Sequence, residues 1–327
     1  MPTLLSCSLV ARSWISRFCD SLLESPHLIH HIRGLHVFTD DTVSTPGIGE
    51  KLCSIVFTRV EKLYFYSTTW TALEWKNLPL FHLQRLVSLP SLDSLMLSVP
   101  VNGSFPFFEP LFAHLCPTIK HLNLHCMPWI ADDMPISSDN PPRIQLKSLV
   151  LSVMPSGRPT QSLPSTRMFS PFDLSHLWGL QISRFTFHIS WPTLPEQTKQ
   201  SLRILDIYLQ ARVPPDVDLS AFPSLTALRI DAYSHPVLVS ALASGLPRSV
   251  DTVVIGHECS AIVTDAAILD NVLGAFPKDL LIVLESEDET LEVYAARYPI
   301  LASQNRLSVT SRVGRQGDWF TVFLPRI

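Results

Sequence analysis

Residues 90–97, P-S-L-D-S-L-M-L, return almost letter for letter as 117–124, P-T-I-K-H-L-N-L, and as 223–230, P-S-L-T-A-L-R-I. Without the proline, the same frame of aliphatic-x-x-aliphatic-x-aliphatic recurs at Ile32/Leu35/Val37, Leu146/Leu149/Leu151, Leu177/Leu180/Ile182, Leu202/Leu205/Ile207 and Val250/Val253/Ile255, and Val60/Leu63/Phe65 fits with an aromatic last. The central anchors at 63, 95, 122, 149, 180, 205, 228 and 253 step by 23 to 32 residues. A period in that range marks stacked supersecondary units, each too small to bury its own apolar face. That constraint outranks length: 327 residues would suggest two globular domains, whereas stacking predicts one elongated array whose core grows by addition.

Each frame predicts a short strand with its Leu-x-Leu pair on the core and the intervening side chains outward. Helical patterning between frames, at 49–60, 107–116, 236–245 and 264–276, supplies return paths, and strands joined in register by helices imply a parallel sheet. Two segments rich in Pro, Ser and Asp, 126–147 and 153–172, are expected to protrude as loops. The end of the chain reads differently: a strand at 280–285, a helix at 287–298, and strands at 307–312 and 319–324 that frame a hairpin turn. The division expected is a helical segment at 1–31, repeats at 32–279 and a cap at 280–327.

The hydrophobic share of 46% and mean hydropathy of +0.22 suit a chain in which most frame positions face a core. Eleven glycines against 27 prolines argue for rigid connections. Near balance of 25 basic and 29 acidic residues gives no global field for nucleic acid or an anionic membrane. The longest uncharged runs are broken by proline and polar residues, so no transmembrane helix is expected, nor a secretory leader. Six cysteines without paired spacing fit buried thiols in a reducing compartment, cytoplasmic or nuclear.

The first helix, 4–23, carries Val10, Trp14, Phe18 and Leu22 on one stripe with Leu5 and Leu9 beside it. Residues 7–14, C-S-L-V-A-R-S-W, resemble the second half of an F-box, whose pattern runs roughly S-L-V-C-R-x-W. Residues 25–37, S-P-H-L-I-H-H-I-R-G-L-H-V, are similar to the segment just downstream of the box in F-box proteins of mushroom-forming fungi. Those proteins continue into degenerate leucine-rich repeats. The resemblance implies an F-box core of Leu5, Leu9, Val10, Trp14 and Phe18 that docks a Skp-type adaptor, and a substrate-recognition subunit of a ubiquitin ligase. The family's opening, a Leu-Pro followed by an acidic-aliphatic helix, is absent ahead of Met1-Pro2. The alternative is a stand-alone scaffold with a non-functional F-box remnant.

The whole is then expected to be an α/β solenoid resembling the leucine-rich-repeat horseshoe, with a parallel inner sheet, an N-terminal helical F-box remnant and a C-terminal α/β cap. The consensus Asn or Cys three residues after the last frame leucine is replaced by Pro100, Met127, Met154, Gln210 and Tyr233, so no polar ladder is expected there.

Chemical signatures are weak. Residues 47–51, G-I-G-E-K, lack the spacing of a phosphate loop. His121, Asn123 and His125 alternate near Cys126, but i and i+4 on a strand lie about 13 Å apart, so they read as solvated wall rather than a metal site. The carboxylates at 285–289 lack the alternation and glycine of a calcium loop, so no calcium site is expected there. No catalytic residue, cofactor or metal is expected, and the chain is read as a non-enzyme. The expected site is the outward face of the sheet, lined by His36, Tyr64, Tyr66, Met96, His121, Asn123, His125, Asp206, Tyr208, Arg229 and Asp231. Aromatic, Met and Arg side chains among carboxylates are the composition of surfaces that hold a protein partner.

Overall fold

The structure, a computed structural model, describes residues 12–39, 51–52, 54–67, 80–98, 111–127, 144–153, 172–185, 194–209, 218–232, 235–243, 245–256, 266–286 and 289–311. The chain divides into two compact units, Met1–Met154 with Arg167–Asp173, and Pro155–Thr166 with Leu174–Ile327.

In the first unit the frames become β1 (Gly34–Thr39), β2 (Lys62–Ser67), β3 (Ser94–Ser98) and β4 (His121–Met127). Two residues form β5 (Ile144–Gln145), followed by β6 (Ser148–Val153) and the two-residue β7 (Phe172–Asp173). Strands β1, β2, β3, β4 and β6 pair in that order, all parallel. The short β5 and β7 pair with each other, also parallel. In the second unit β8 (Gly179–Phe185), β9 (Ile204–Leu209), β10 (Ala227–Ala232), β11 (Thr252–Ile255), β12 (Leu281–Ser286) and β13 (Leu307–Ser311) pair in chain order, again all parallel.

Register follows the frame. Leu63, Leu95, Leu122 and Leu149 stand opposite one another across the first unit, as do Leu180, Leu205, Leu228 and Val253 across the second. The pairs Leu95/Leu97, Leu122/Leu124, Leu149/Leu151, Leu205/Ile207 and Leu228/Ile230 are all buried, as the period-two reading requires. The first frame position is buried too, at Val60, Leu92, Ile119, Leu146, Leu177, Leu202, Leu225 and Val250.

The recurrent proline has a local cause. Leu89–Leu92, Cys116–Ile119 and Phe222–Leu225 are hydrogen-bonded turns, with N···O distances of 3.1, 3.2 and 3.1 Å. Pro90, Pro117 and Pro223 take their second place, where a fixed φ is already correct. A hydroxyl residue just ahead of the first frame position ties a repeat backwards. Ser91 Oγ donates to Val60 O (2.8 Å), Thr118 Oγ1 to Leu92 O (2.7 Å) and Ser201 Oγ to Leu177 O (2.9 Å), each reaching the first frame carbonyl of the preceding repeat. Backbone adds a second tie, because the carbonyl just before a strand accepts two N–H groups from the next repeat. Arg33 O takes Glu61 N and Lys62 N, Glu61 O takes Asp93 N and Ser94 N, and Asp93 O takes Lys120 N and His121 N. Trp178, Arg203 and Thr226 act likewise in the second unit. A ladder therefore exists, but ahead of the strands rather than after them.

The helices are α1 (Arg12–Glu24), α2 (Leu80–Val87), α3 (Glu196–Ser201), α4 (His235–Ala243), α5 (Ala266–Gly274), α6 (Leu291–Arg297) and α7 (Pro299–Ser303). Helix α1 buries Cys19 and Leu22, and Asp20 accepts from Lys51 Nζ at 2.9 and 3.1 Å. Trp14 and Phe18 lie on it, while Leu5, Leu9 and Val10 lie outside the described residues.

The expected helix at 287–298 starts later, at Leu291, and breaks at Tyr298. Pro299 forces the break, since the residue before a proline avoids helical backbone, and Tyr298 sits at φ −122, ψ 66. The new helix start is then covered from α5, whose Asp270 carboxylate accepts from Ile300 N (2.8 Å) and Leu301 N (3.0 Å). Arg306 closes the C-terminal end of α5 and the turn after it, donating to Leu273 O, Phe276 O and Leu280 O. The expected strand at 319–324 lies outside the described residues, as does most of the two expected loops. Among the described residues no helix is long and apolar enough to cross a membrane.

Candidate functional site

On the outward side of the first unit, strand register builds one row from His36, Tyr64, Met96, Asn123 and Val150, one residue from each of β1, β2, β3, β4 and β6. The His36 and Tyr64 rings stack, with centroids 4.3 Å apart and planes 21° from parallel. His36 is exposed, Tyr64, Met96 and Asn123 are half-buried, and Val150 is buried. The row below holds Lys62, Ser94, His121 and Ser148, where the His121 ring shares a 2.7 Å hydrogen bond with Ser148 Oγ. Backbone register next sets Phe38, Tyr66, Ser98, His125 and Ser152 opposite one another.

Burial lowers the pKa of His36, and burial against the pull of Asp93 lowers that of His121, so both rings are neutral at neutral pH. Besides Lys62 in the lower row, charges sit at the edge, on the residues that lead into the strands. Arg33 pairs with Glu61 and Lys120 with Asp93, each at 2.7 Å and roughly half exposed. Such pairs contribute little stability. The face thus combines stacked aromatic surface, a thioether and neutral hydrogen-bonding groups.

The outward side of the second unit is a different object. Asp206, Arg229 and Asp231, read from sequence as free partner contacts, lie in a buried ionic cluster that includes Glu285, and this corrects the expectation. Asp206 is 1% exposed and Glu285 0%. The Arg229 guanidinium on β10 donates through Nε to Glu285 Oε1 (2.9 Å) and through Nη2 to Oε2 (2.7 Å), while Nη1 donates to Asp206 Oδ1 (3.0 Å). Asp231 Oδ2 stands 3.9 Å from Nη2, and its Oδ1 accepts from Ala232 N at 3.0 Å. Tyr208, two places beyond Asp206 on β9, is half-buried.

Glu285 is on β12, so Arg229 reaches it over β11. On β11 the place beyond Val254 and Ile255 is Gly256, beside Asp231. A β-carbon on Gly256 would come within 2.2 Å of the Asp231 side chain. The glycine is therefore a requirement of space, not of backbone angle. Of the carboxylates at 285–289, read from sequence only as unsuited to a calcium loop, Glu285 and Glu289 are engaged within the second unit. Glu285 and Ser286 are buried, and Glu289 accepts a bidentate pair from Arg297 at 2.9 and 3.0 Å. The available signal is position: Glu285 comes directly after the apolar run 280–284 with outward parity.

Burial works against charge on Arg229, but Asp206, Glu285 and Asp231 overcompensate and hold its pKa above the usual value. Asp206 is pushed up to about 6, by burial first, with the charges of Glu285 and Asp231 adding to it and Arg229 opposing. One guanidinium thus faces three carboxylates.

Compared with protein-family models and with curated proteins, the chain matches none.

Proposed function

We propose that this chain is a protein-interaction module, a leucine-rich-repeat-like solenoid that acts as the substrate-recognition subunit of a Skp–cullin–F-box ubiquitin ligase and has no catalytic role of its own. The observation that carries the interaction reading is the row His36, Tyr64, Met96 and Asn123, brought together from four strands on one face. Aromatic and Met side chains with a few neutral polar groups are what protein recognition sites concentrate. The ligase reading rests on the F-box resemblance of residues 7–14.

The second reading is a stand-alone scaffold whose first helix is only a cap. It is favoured by the Asp20–Lys51 pair and by burial of Cys19 and Leu22 on the side of α1 that packs inward, since a terminal repeat needs cover.

Two measurements separate these. A photo-crosslinking residue placed at Tyr64 should capture a protein in cells that the same residue at exposed Ser88 does not, and Met96→Ala should abolish that capture. Identical captures from both positions would remove the face as the binding site. Co-purification with a Skp-type adaptor supports the ligase reading, and its absence with the crosslink retained leaves the scaffold.

A further inference from the structure

Among the described residues of the second unit, the buried acceptors Asp206 Oδ2 and Gln181 Oε1 have no hydrogen-bond donor. They belong to register partners, since Gln181 on β8 stands directly opposite Asp206 on β9. Side chains so placed share a face with β-carbons about 5 Å apart, within reach of one hydrogen bond. Both residues are more than nine-tenths buried. In a site of low polarity each of these acceptors carries the cost of an unmade hydrogen bond. A proton supplies the missing donor without adding volume.

Charge counting picks the residue that takes it. Among the described residues the groups facing Asp206 are Gln181 from β8, Tyr208 on β9 itself, Arg229 and Asp231 from β10, the apolar Val254 from β11 and Glu285 from β12. Glu285 holds the guanidinium through both of its oxygens and Asp231 Oδ1 is occupied by Ala232 N. Asp206 gives only Oδ1 to Arg229. Its Oδ2 can carry a proton with no bond in the cluster broken.

We propose that Asp206 and Gln181 form a proton-operated latch between β8 and β9: with a proton on Oδ2, Asp206 donates to Gln181 Oε1, and loss of that proton to solvent leaves two opposed acceptors and loosens β8 from β9. The raised pKa of Asp206 puts the change between mildly acidic and neutral pH. The proposal is independent of any protein partner.

The test is a carbon-13 NMR titration of the Asp206 carboxyl together with amide hydrogen exchange in β8 and β9. The midpoint should lie near 6, and exchange, corrected for its intrinsic pH dependence, should be about tenfold faster at about pH 7.5 than at about pH 5. Asp206→Asn, which is always neutral and always able to donate, should exchange slowly at both. An ordinary midpoint of about 4, or the same pH dependence in the Asn variant, overturns the latch. Gln181→Leu serves if the Asn variant does not fold. Losing the acceptor should move the Asp206 midpoint down, and an unmoved midpoint overturns the latch equally.

Discussion

Arg229 Nη2 lies 2.7 Å from Glu285 Oε2, although β11 runs between their strands. A side chain at an outward position of a parallel sheet is ordinarily judged surface. Here it neutralises a fully buried carboxylate two strands away, so its removal acts on the fold.

Arg229→Ala should destabilise the second unit by about 3 to 5 kcal/mol, because it strands buried carboxylates without a partner. Urea unfolding combined with hydrogen exchange of β9–β12 would measure this. Adding Glu285→Gln to Arg229→Ala should recover some of the loss, since it removes one of the stranded charges. A near-neutral Arg229→Ala would mean that the guanidinium is not structural.

The pH dependence of stability has a sign fixed by Asp206. Its folded pKa of about 6 lies above the ordinary 3.8, so the folded chain binds the proton more tightly than the unfolded one. Its stabilising contribution is complete below about pH 4 and is lost as pH rises through about 6, a change of about 3 kcal/mol. Stability curves for wild type and Asp206→Asn between about pH 4 and 7.5 should converge at the acid end and separate toward neutrality, with the Asn variant the more stable.

Gly256→Ala should lower stability by about 1 to 3 kcal/mol, because the new methyl must displace the Asp231 side chain in a packed site. Pairing it with Asp231→Ala should remove most of that cost. The thermal midpoints of the single and double variants decide the matter.

Thr118→Val keeps shape and loses the hydroxyl that donates to Leu92 O, and Ser91→Ala loses the bond to Val60 O. Each should cost about 1 kcal/mol, the net value of such a bond. Wild-type stability in both variants, measured by chemical denaturation, would show that backbone alone ties the repeats.

The strand positions are legible because period-two burial leaves a direct trace: Leu95, Leu122, Leu149, Leu205 and Leu228 are core wherever the frame repeats. Proline at 90, 117 and 223 is equally readable as a turn. The hydroxyls of Ser91, Thr118 and Ser201 are visible in the same frame, yet their bonds run to carbonyls 24 to 31 residues earlier, which local patterning cannot reveal. The second-unit face is misjudged from sequence for a related reason. Alternation tells which side of a sheet a residue occupies but not how deeply that side is buried, so Asp206, Arg229 and Asp231 look identical in kind to Tyr64 and His36. Glu285 escapes because it opens an acidic run, and Gly256 because a single glycine after a strand has many ordinary explanations.

The hydroxyl ties have a mechanical meaning. Ser91 fastens its repeat only to the one before it, and Thr118 does the same one repeat later. A load applied to the ends of the first unit would therefore meet a series of equal, independent fasteners rather than one shared lock. The unit should open repeat by repeat, each event releasing roughly 9 nm for the 27 residues from Leu95 to Leu122. Such a chain yields by graded lengthening where a single-core domain of the same size would snap.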